Sequence, residues 1–330
     1  MRRRDFITVL GGVAATWPLT AHAQQPDRPR RLGIVIAVGK TPEYVAALAA
    51  FEEVLGSLGW KQGVNLRIDY HWSAGGQESA RSAAQDIAAF NPDVVLAQSQ
   101  AVVDALISTT RSIPIVFVHI ADPVASGIVS SLARPGGNVT GITNIEPSIG
   151  GKWLQLLKEI APTATRAAML INRDTAPDLA AIFLDPFEAA ARSLGMTSEK
   201  GDVHDLGDIE AVMTGLATVP RGGIVMSPDA FFASHSTEII ALAAHFQLPA
   251  VYPYRYYVAE GGLLSYGVNN VDLFRQAAPY VDRILRGTKP ADLPVQQPTR
   301  FELVINTRTA TLLNLIIPPA LSAGASEVIE

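Results

Sequence analysis

Apolar and polar positions alternate along this chain on two scales. From Arg31 onward, short β-branched apolar runs are separated by amphipathic stretches of about ten to twenty residues, the rhythm of βαβ units in a parallel sheet. A strand buried on both faces reads as one apolar run, while its crossover helix shows a single apolar stripe. RLGIVIAV (31–38) predicts the first strand. Pro42 to Leu58 carries Val45, Leu48, Ala49, Val54, Leu55 and Leu58 mostly at helical spacing, and Gly59 is placed to end that helix. NLRIDYHW (65–72) alternates like a strand. A helix from about Gln77 to Phe90 stops at Asn91-Pro92, and strands at 93–97 and 113–118 flank a helix over 101–111.

A second series follows the Gly-rich segment ARPGGNVTGIT (133–143). It predicts helices at 149–160, 177–194, 208–217 and 234–246, and strands at 167–171, near 200–203, at 223–226, at 250–252 and at 263–267. A helix over 271–286 and the segment FELVINTRTATLLNL (301–315) come after it. No sequence repeat links the two series; only the architecture recurs. The fold class is therefore α/β, with two Rossmann-like parallel-sheet domains. Each sheet binds outside the carboxyl ends of its strands, where helix N-termini present free N–H groups. Two such crevices facing one another make a cleft, of the kind that traps ligands by hinge closure.

Composition narrows what the cleft can do. The formal net charge is −5 over 330 residues and no Lys/Arg cluster follows Arg31, so nucleic acid is not an expected partner. The chain has no cysteine, which excludes disulfides, thiolate catalysis and cysteine-ligated metals. His119, His204, His235 and His245 show no metal-ligand spacing, and no metal or cofactor is expected. Gly136-Gly137 and Gly261-Gly262 lack a phosphate-cradling pattern and read as turns. Asn138-Val139-Thr140 fits a glycosylation sequon but reads as structural beside a bacterial export signal. That signal is MRRRDFITVLGGVAATWPLTAHAQ, with a basic start, an apolar middle and a small-residue exit. Arg3-Arg4-Asp5-Phe6-Ile7 fits the twin-arginine pattern, and cleavage is expected after Ala23. The apolar run from Phe6 to Ala15 is short of the roughly 20 residues that span a bilayer. A periplasmic, monomeric, soluble mature protein is the expectation.

NPDVVLAQSQ (91–100), IPIVFVHIADPVASGIVSSLARPGGNVTGI (113–142), LQLLKEIAP (154–162) and YVDRILRGTKPADLPVQQPTRFELVIN (280–306) resemble a known family. They are similar to the type 1 periplasmic-binding-protein fold and, within it, to the ABC-transporter substrate-binding proteins that include tryptophan- and tyrosine-binding members. The order strand, Ala121-Asp122-Pro123, then RPGGNVTG (134–141) is the most specific piece. The resemblance implies two lobes joined by three crossovers, near 141–145, 267–270 and 298–302. One lobe comprises 31–141 plus about 268–300, the other 142–267, with 301–330 packing across or near the hinge. It also implies an ABC permease as partner. This chain departs from the aromatic amino-acid binders at Ala97-Gln98-Ser99-Gln100, where they carry a Thr-Pro-Ser-like string.

The candidate binding residues lie on the loops that follow the strands. Gln98, Ser99 and Gln100 stand where a strand hands over to a helix, so a hydroxyl and free N–H groups meet a carboxylate there; the alternative is a plain helix cap. Gly39 and Lys40 end the first strand in the same way. His119, Ile120, Ala121 and Asp122 follow the fourth; Asp122 suits a ligand ammonium or, with Pro123, a turn. In the second series the corresponding positions are Asn172, Arg173, Ser227, Asp229 and the patch Tyr252-Pro253-Tyr254-Arg255-Tyr256-Tyr257. Tyrosines there would stack on a planar ligand while Arg255 takes its carboxylate bidentately; a tyrosine-lined core edge is the alternative. Asn269 lies beside the returning crossover. No nucleophile elbow or acid–base motif is present, so the chain is expected to bind a small carboxylate-bearing, amino-acid-like or aromatic solute rather than to transform one. A ligand sensor for a membrane receptor is the alternative, and a serine hydrolase built on Ser99 or Ser227 would need a converging histidine and acid that neighbouring sequence does not offer.

Overall fold

The computed structural model describes residues 28–73, 76–146, 148–174, 179–218 and 222–330. The segment read as an export signal, 1–23, lies outside them. The first sheet has five parallel strands in the order β2-β1-β3-β4-β5: β1 Arg30–Ile36, β2 Leu66–Trp72, β3 Val94–Gln98, β4 Ile115–Ile120 and β5 Val139–Thr143. Its crossovers include α1 Pro42–Ser57, α2 Gln77–Ala89 and α3 Gln100–Thr109. Alternate residues of β1 serve the two faces. Leu32, Ile34 and Ile36 pack with Tyr44, Leu48 and Phe51 of α1, whereas Val35 packs with Ala84 and Ile87 of α2 and with Val103 and Leu106 of α3. Each such fully buried aliphatic side chain contributes roughly 1.5–3 kcal/mol, which is why an uninterrupted apolar run makes a central strand.

The second sheet has seven strands in the order β12-β11-β10-β9-β8-β6-β7. They are β6 Arg166–Ile171, β7 Thr197–Asp202, β8 Ile224–Met226, β9 Ala250–Tyr252, β10 Leu264–Gly267, β11 Glu302–Asn306 and β12 Glu327–Ile329. All neighbouring pairs are parallel except β10 with β11. The helices are α4 Ile149–Ile160, α5 Leu179–Leu194, α6 Leu206–Ala217, α7 Ala230–Ser234, α8 Ser236–His245, α9 Arg255–Ala259, α10 Asn270–Leu285, α11 Thr307–Leu312 and α12 Pro319–Gly324. After β10 the chain returns to the first sheet, where α10 packs along α1. Trp60 Nε1 donates to Asp282 of α10 at 2.8 Å and the Arg286 guanidinium donates to the Leu58 carbonyl, also at 2.8 Å.

Three elements differ from the sequence reading. The Gly-rich segment 133–143, to which the sequence reading assigns no strand, holds the buried strand β5 in its second half. The helix predicted over 234–246 starts earlier and breaks at His235, where φ −120° and ψ 25° interrupt the helical run. Arg255–Ala259, read as a recognition loop, is a short helix that carries Tyr256 and Tyr257 into the core.

Candidate functional site

The carboxyl ends of β3 and β4 open onto a cleft whose far wall comes from the second sheet, at the loop after β8 and at Tyr254. On the near wall, β3 ends at the buried Gln98, and Ser99 caps α3 with its Oγ facing the Val102 N–H at 3.5 Å. Ser99 holds φ 85° and ψ 155°, and Gly76, the cap of α2 and also a cleft residue, holds φ 82° and ψ 158°. That backbone region is essentially reserved for glycine, so a side chain at Ser99 carries strain of about 1–3 kcal/mol.

Beneath this wall lies a buried polar knot. Gln98 Oε1 accepts from the Ala37 N–H at 2.9 Å, while its Nε2 stands 3.2 Å from His119 Nδ1 and 3.4 Å from the Tyr44 hydroxyl. The Tyr44 hydroxyl is 3.3 Å from the same His119 nitrogen. Burial lowers the His119 pKa to about 4, an effect only partly opposed by Asn270, so the ring is neutral near pH 7. With two donors directed at Nδ1, the network assigns the proton to Nε2. His119 is itself left-handed, at φ 63°.

Contacts from the second sheet close over this knot. The Tyr254 ring stacks on His119 with centroids 5.6 Å apart, and Asn144 Nδ2 donates to the Tyr254 hydroxyl at 2.7 Å. Burial raises the Tyr254 pKa above the ordinary tyrosine range, so the hydroxyl keeps a hydrogen to give. Among the described residues Asn144 Oδ1 is buried without a hydrogen bond and faces a demand for a donor. Asp229 accepts from the Phe231 N–H at 2.7 Å and brings a carboxylate to the far wall. The cleft therefore offers the positive end of α3 on one side and a negative charge on the other.

Of the residues singled out from sequence, Gln98, Ser99, Gln100, His119, Ala121, Asp229 and Tyr254 line this cleft. The others do not. Gly39 and Lys40 are exposed beyond β1, and Ile120 packs in the core because the strand's last residue turns inward. The Asp122 carboxylate is taken by the Val124 and Ala125 N–H groups, the turn alternative. Asn172 is buried and accepts from the Asp174 N–H, Arg173 pairs with Asp202 at 2.7 Å, and Ser227 is buried off the cleft. Arg255 makes a bidentate pair with Glu327, both bonds at 2.6 Å, because β12 brings that acid beside α9. Asn269 caps α10 and donates to Glu302 at 3.1 Å. Sequence reasoning missed Tyr44, Asn144 and Ala230. Tyr44 carried a signal, since it lies in the first turn of the helix that follows β1, at the same end of the sheet as Ser99. Among the described residues no group of three or more His, Asp or Glu is placed to hold a metal, and no helix is long and apolar enough to cross a membrane.

Comparison with known proteins bears on this geometry. Residues 34–329 match the family described as ABC transporter substrate binding protein. A relative from Clostridioides difficile (strain R20291), named tyrosine-binding protein, is 26% identical over 275 residues, 83% of this chain and 78% of the relative. A conserved domain protein from Vibrio cholerae superposes with a TM-score of 0.83 at 28% identity, covering 91% of this chain and 100% of the other. A Streptococcus pneumoniae structure, described as an ABC domain in complex with L-Trp, gives 0.82 at 25% identity, covering 91% and 99%.

Proposed function

This chain belongs to the ABC transporter substrate-binding protein family, and on that premise we propose that it is the periplasmic solute-binding component of an ABC importer. Its ligand is a small carboxylate-bearing, amino-acid-like solute, aromatic amino acids foremost. The observation that carries this reading is the pair of opposed walls. The α3 N-terminus with Ser99 and Gln100 receives the carboxylate, while Asp229 and the unpaired Asn144 Oδ1 receive the ammonium. Tyr44, His119 and Tyr254 supply an aromatic surface between them. Relatives named for tyrosine and bound to L-Trp support the ligand class. The two lobes are built on the two sheets, the first with β5 and α10 and the second with β11 and β12, and they close about the segments that join the sheets. Closure reports occupancy to the permease, because a ligand contacting both walls favours the closed state by its differential affinity.

No catalytic step is required. Ser99 does not meet a base: His119 Nδ1 is committed to Gln98 and Tyr44. The test is a thermal-shift and calorimetric screen of the purified chain against L-tryptophan, L-tyrosine, other amino acids, aromatic acids and sugars. A ligand present at 100 times its Kd stabilises the native state by about 2.7 kcal/mol. Stabilisation by aromatic amino acids, abolished by Asp229→Asn but unchanged within twofold by Arg255→Ala, is expected. Stabilisation by sugars alone, or turnover of an ester or amide, would sink the reading.

A further inference from the structure

A second recess, about 530 Å³ counted to its open mouth, shares only Tyr254 with the cleft. Its walls are Glu43 in the first turn of α1, Arg255 at the start of α9, and Val268 to Val271 where the chain passes from β10 into α10. Two observations point to a ligand. Asn270 is 2% exposed, and neither its Oδ1 nor its Nδ2 makes a hydrogen bond of good geometry, although the amide approaches both Glu43 and His119. An orphaned buried amide of this kind costs about 1–3 kcal/mol and calls for a partner. Glu43, for its part, is half-buried and makes no ion pair among the described residues, while Arg255, the cation on the described wall, is neutralised bidentately by Glu327. Glu260 and Glu302 add further negative charge at Glu43.

We propose that this recess is a second binding site, for a small organic ammonium ion. The Glu43 carboxylate accepts its N–H groups beside the Asn270 amide, while Val268, Val271 and the Tyr254 ring face its alkyl part. A divalent metal is disfavoured, since it needs several oxygen ligands and only one carboxylate that is not already paired lines the walls. The site is independent of what the cleft binds.

The test uses ethylammonium chloride, which has no carboxylate for the α3 wall, titrated calorimetrically into the full chain at pH 7.5 against a sodium chloride blank. Saturable millimolar binding is expected, weakened at least tenfold by Glu43→Gln and unchanged within twofold by Glu210→Gln on the exposed face of α6. No saturable heat above the blank, or full binding by a folded Glu43→Gln variant, overturns the proposal. Should that variant fail to fold, crystals of the unmodified chain soaked in 2-bromoethylammonium decide the matter. Anomalous bromine density beside Glu43 and Asn270 supports the site, and density in the cleft alone, or nowhere, overturns it. Because the probe cannot report on amino-acid binding, its failure leaves the cleft reading untouched.

Discussion

Ser99 and His119 carry left-handed backbone where the cleft needs their side chains, and both make their strain measurable. Replacing Ser99 with glycine removes a Cβ from a backbone that Gly76 adopts without one. The 3.5 Å cap bond it gives up is weak. Ser99→Gly is therefore expected to raise stability by about 1 kcal/mol in denaturant unfolding while weakening amino-acid binding, the usual opposition between strain and function. A loss of stability would show that the strain is relieved elsewhere. His119 works through protonation. Its folded pKa, about 4, lies below the ordinary 6.5, so the unfolded chain binds a proton first and stability falls as pH drops from about 6.5 to about 4. The full loss is about 3 kcal/mol. Asparagine tolerates φ 63° and does not titrate, so His119→Asn should flatten that part of the stability profile relative to the unmodified chain. An equal fall in unfolding free energy from pH 7 to 4.5 for the variant and the unmodified chain, measured by chemical denaturation, would refute the assignment.

Elements are held in place by how closely they approach. A Cβ added to Gly150 in α4 would lie 2.3 Å from the Phe183 carbonyl oxygen of α5, against backbone that cannot rotate away. Gly150→Ala must push the two helices apart and is expected to cost about 1–3 kcal/mol, measured as a lowered denaturation midpoint with unchanged m-value. Trp153, fully buried in the same helix, anchors it to β10 through a 2.6 Å bond from Nε1 to the Tyr266 carbonyl. Most elements were legible in sequence because period and length agreed: α4 runs over the same residues that the apolar spacing predicts. The misreadings are local. Val139–Thr143 is only five residues long with a central glycine, and its strand character comes from pairing with β4 rather than from its own pattern. Arg255–Ala259 is a single helical turn whose tyrosines face inward because Tyr252, Tyr254, Tyr256 and Tyr257 stack on one another.

For the whole molecule, the closure proposed above makes the contacts between the two sheets the balance between open and closed forms. Tyr254 spans that boundary, stacked on His119 and bonded to Asn144. Gln77 adds a hydrogen bond to the Asp174 carbonyl at 3.1 Å. Tyr254→Ala removes the central contact, so the ligand-free chain should shift toward open forms with a larger radius of gyration in small-angle X-ray scattering. An unchanged radius would mean that the sheets are held by the connecting segments alone.

By itself the sequence determined the α/β class, the two βα series and the end of each sheet on which the candidate binding residues lie. Hydrophobic period is a local quantity, and strand-to-helix junctions follow directly from it. It also picked out Ser99, His119, Asp229 and Tyr254 on this ground. Only the tertiary structure decided which of the candidate loops meet. Arg255 was consumed by Glu327 from the far end of the chain, Asp122 by its own turn, and Arg173 by Asp202 on the neighbouring strand. Tyr44, Asn144 and Asn270 gained their places from chain crossings between the sheets. A charged side chain's partner depends on which segments the fold brings within a few ångströms of it, and no pattern along the chain contains that distance.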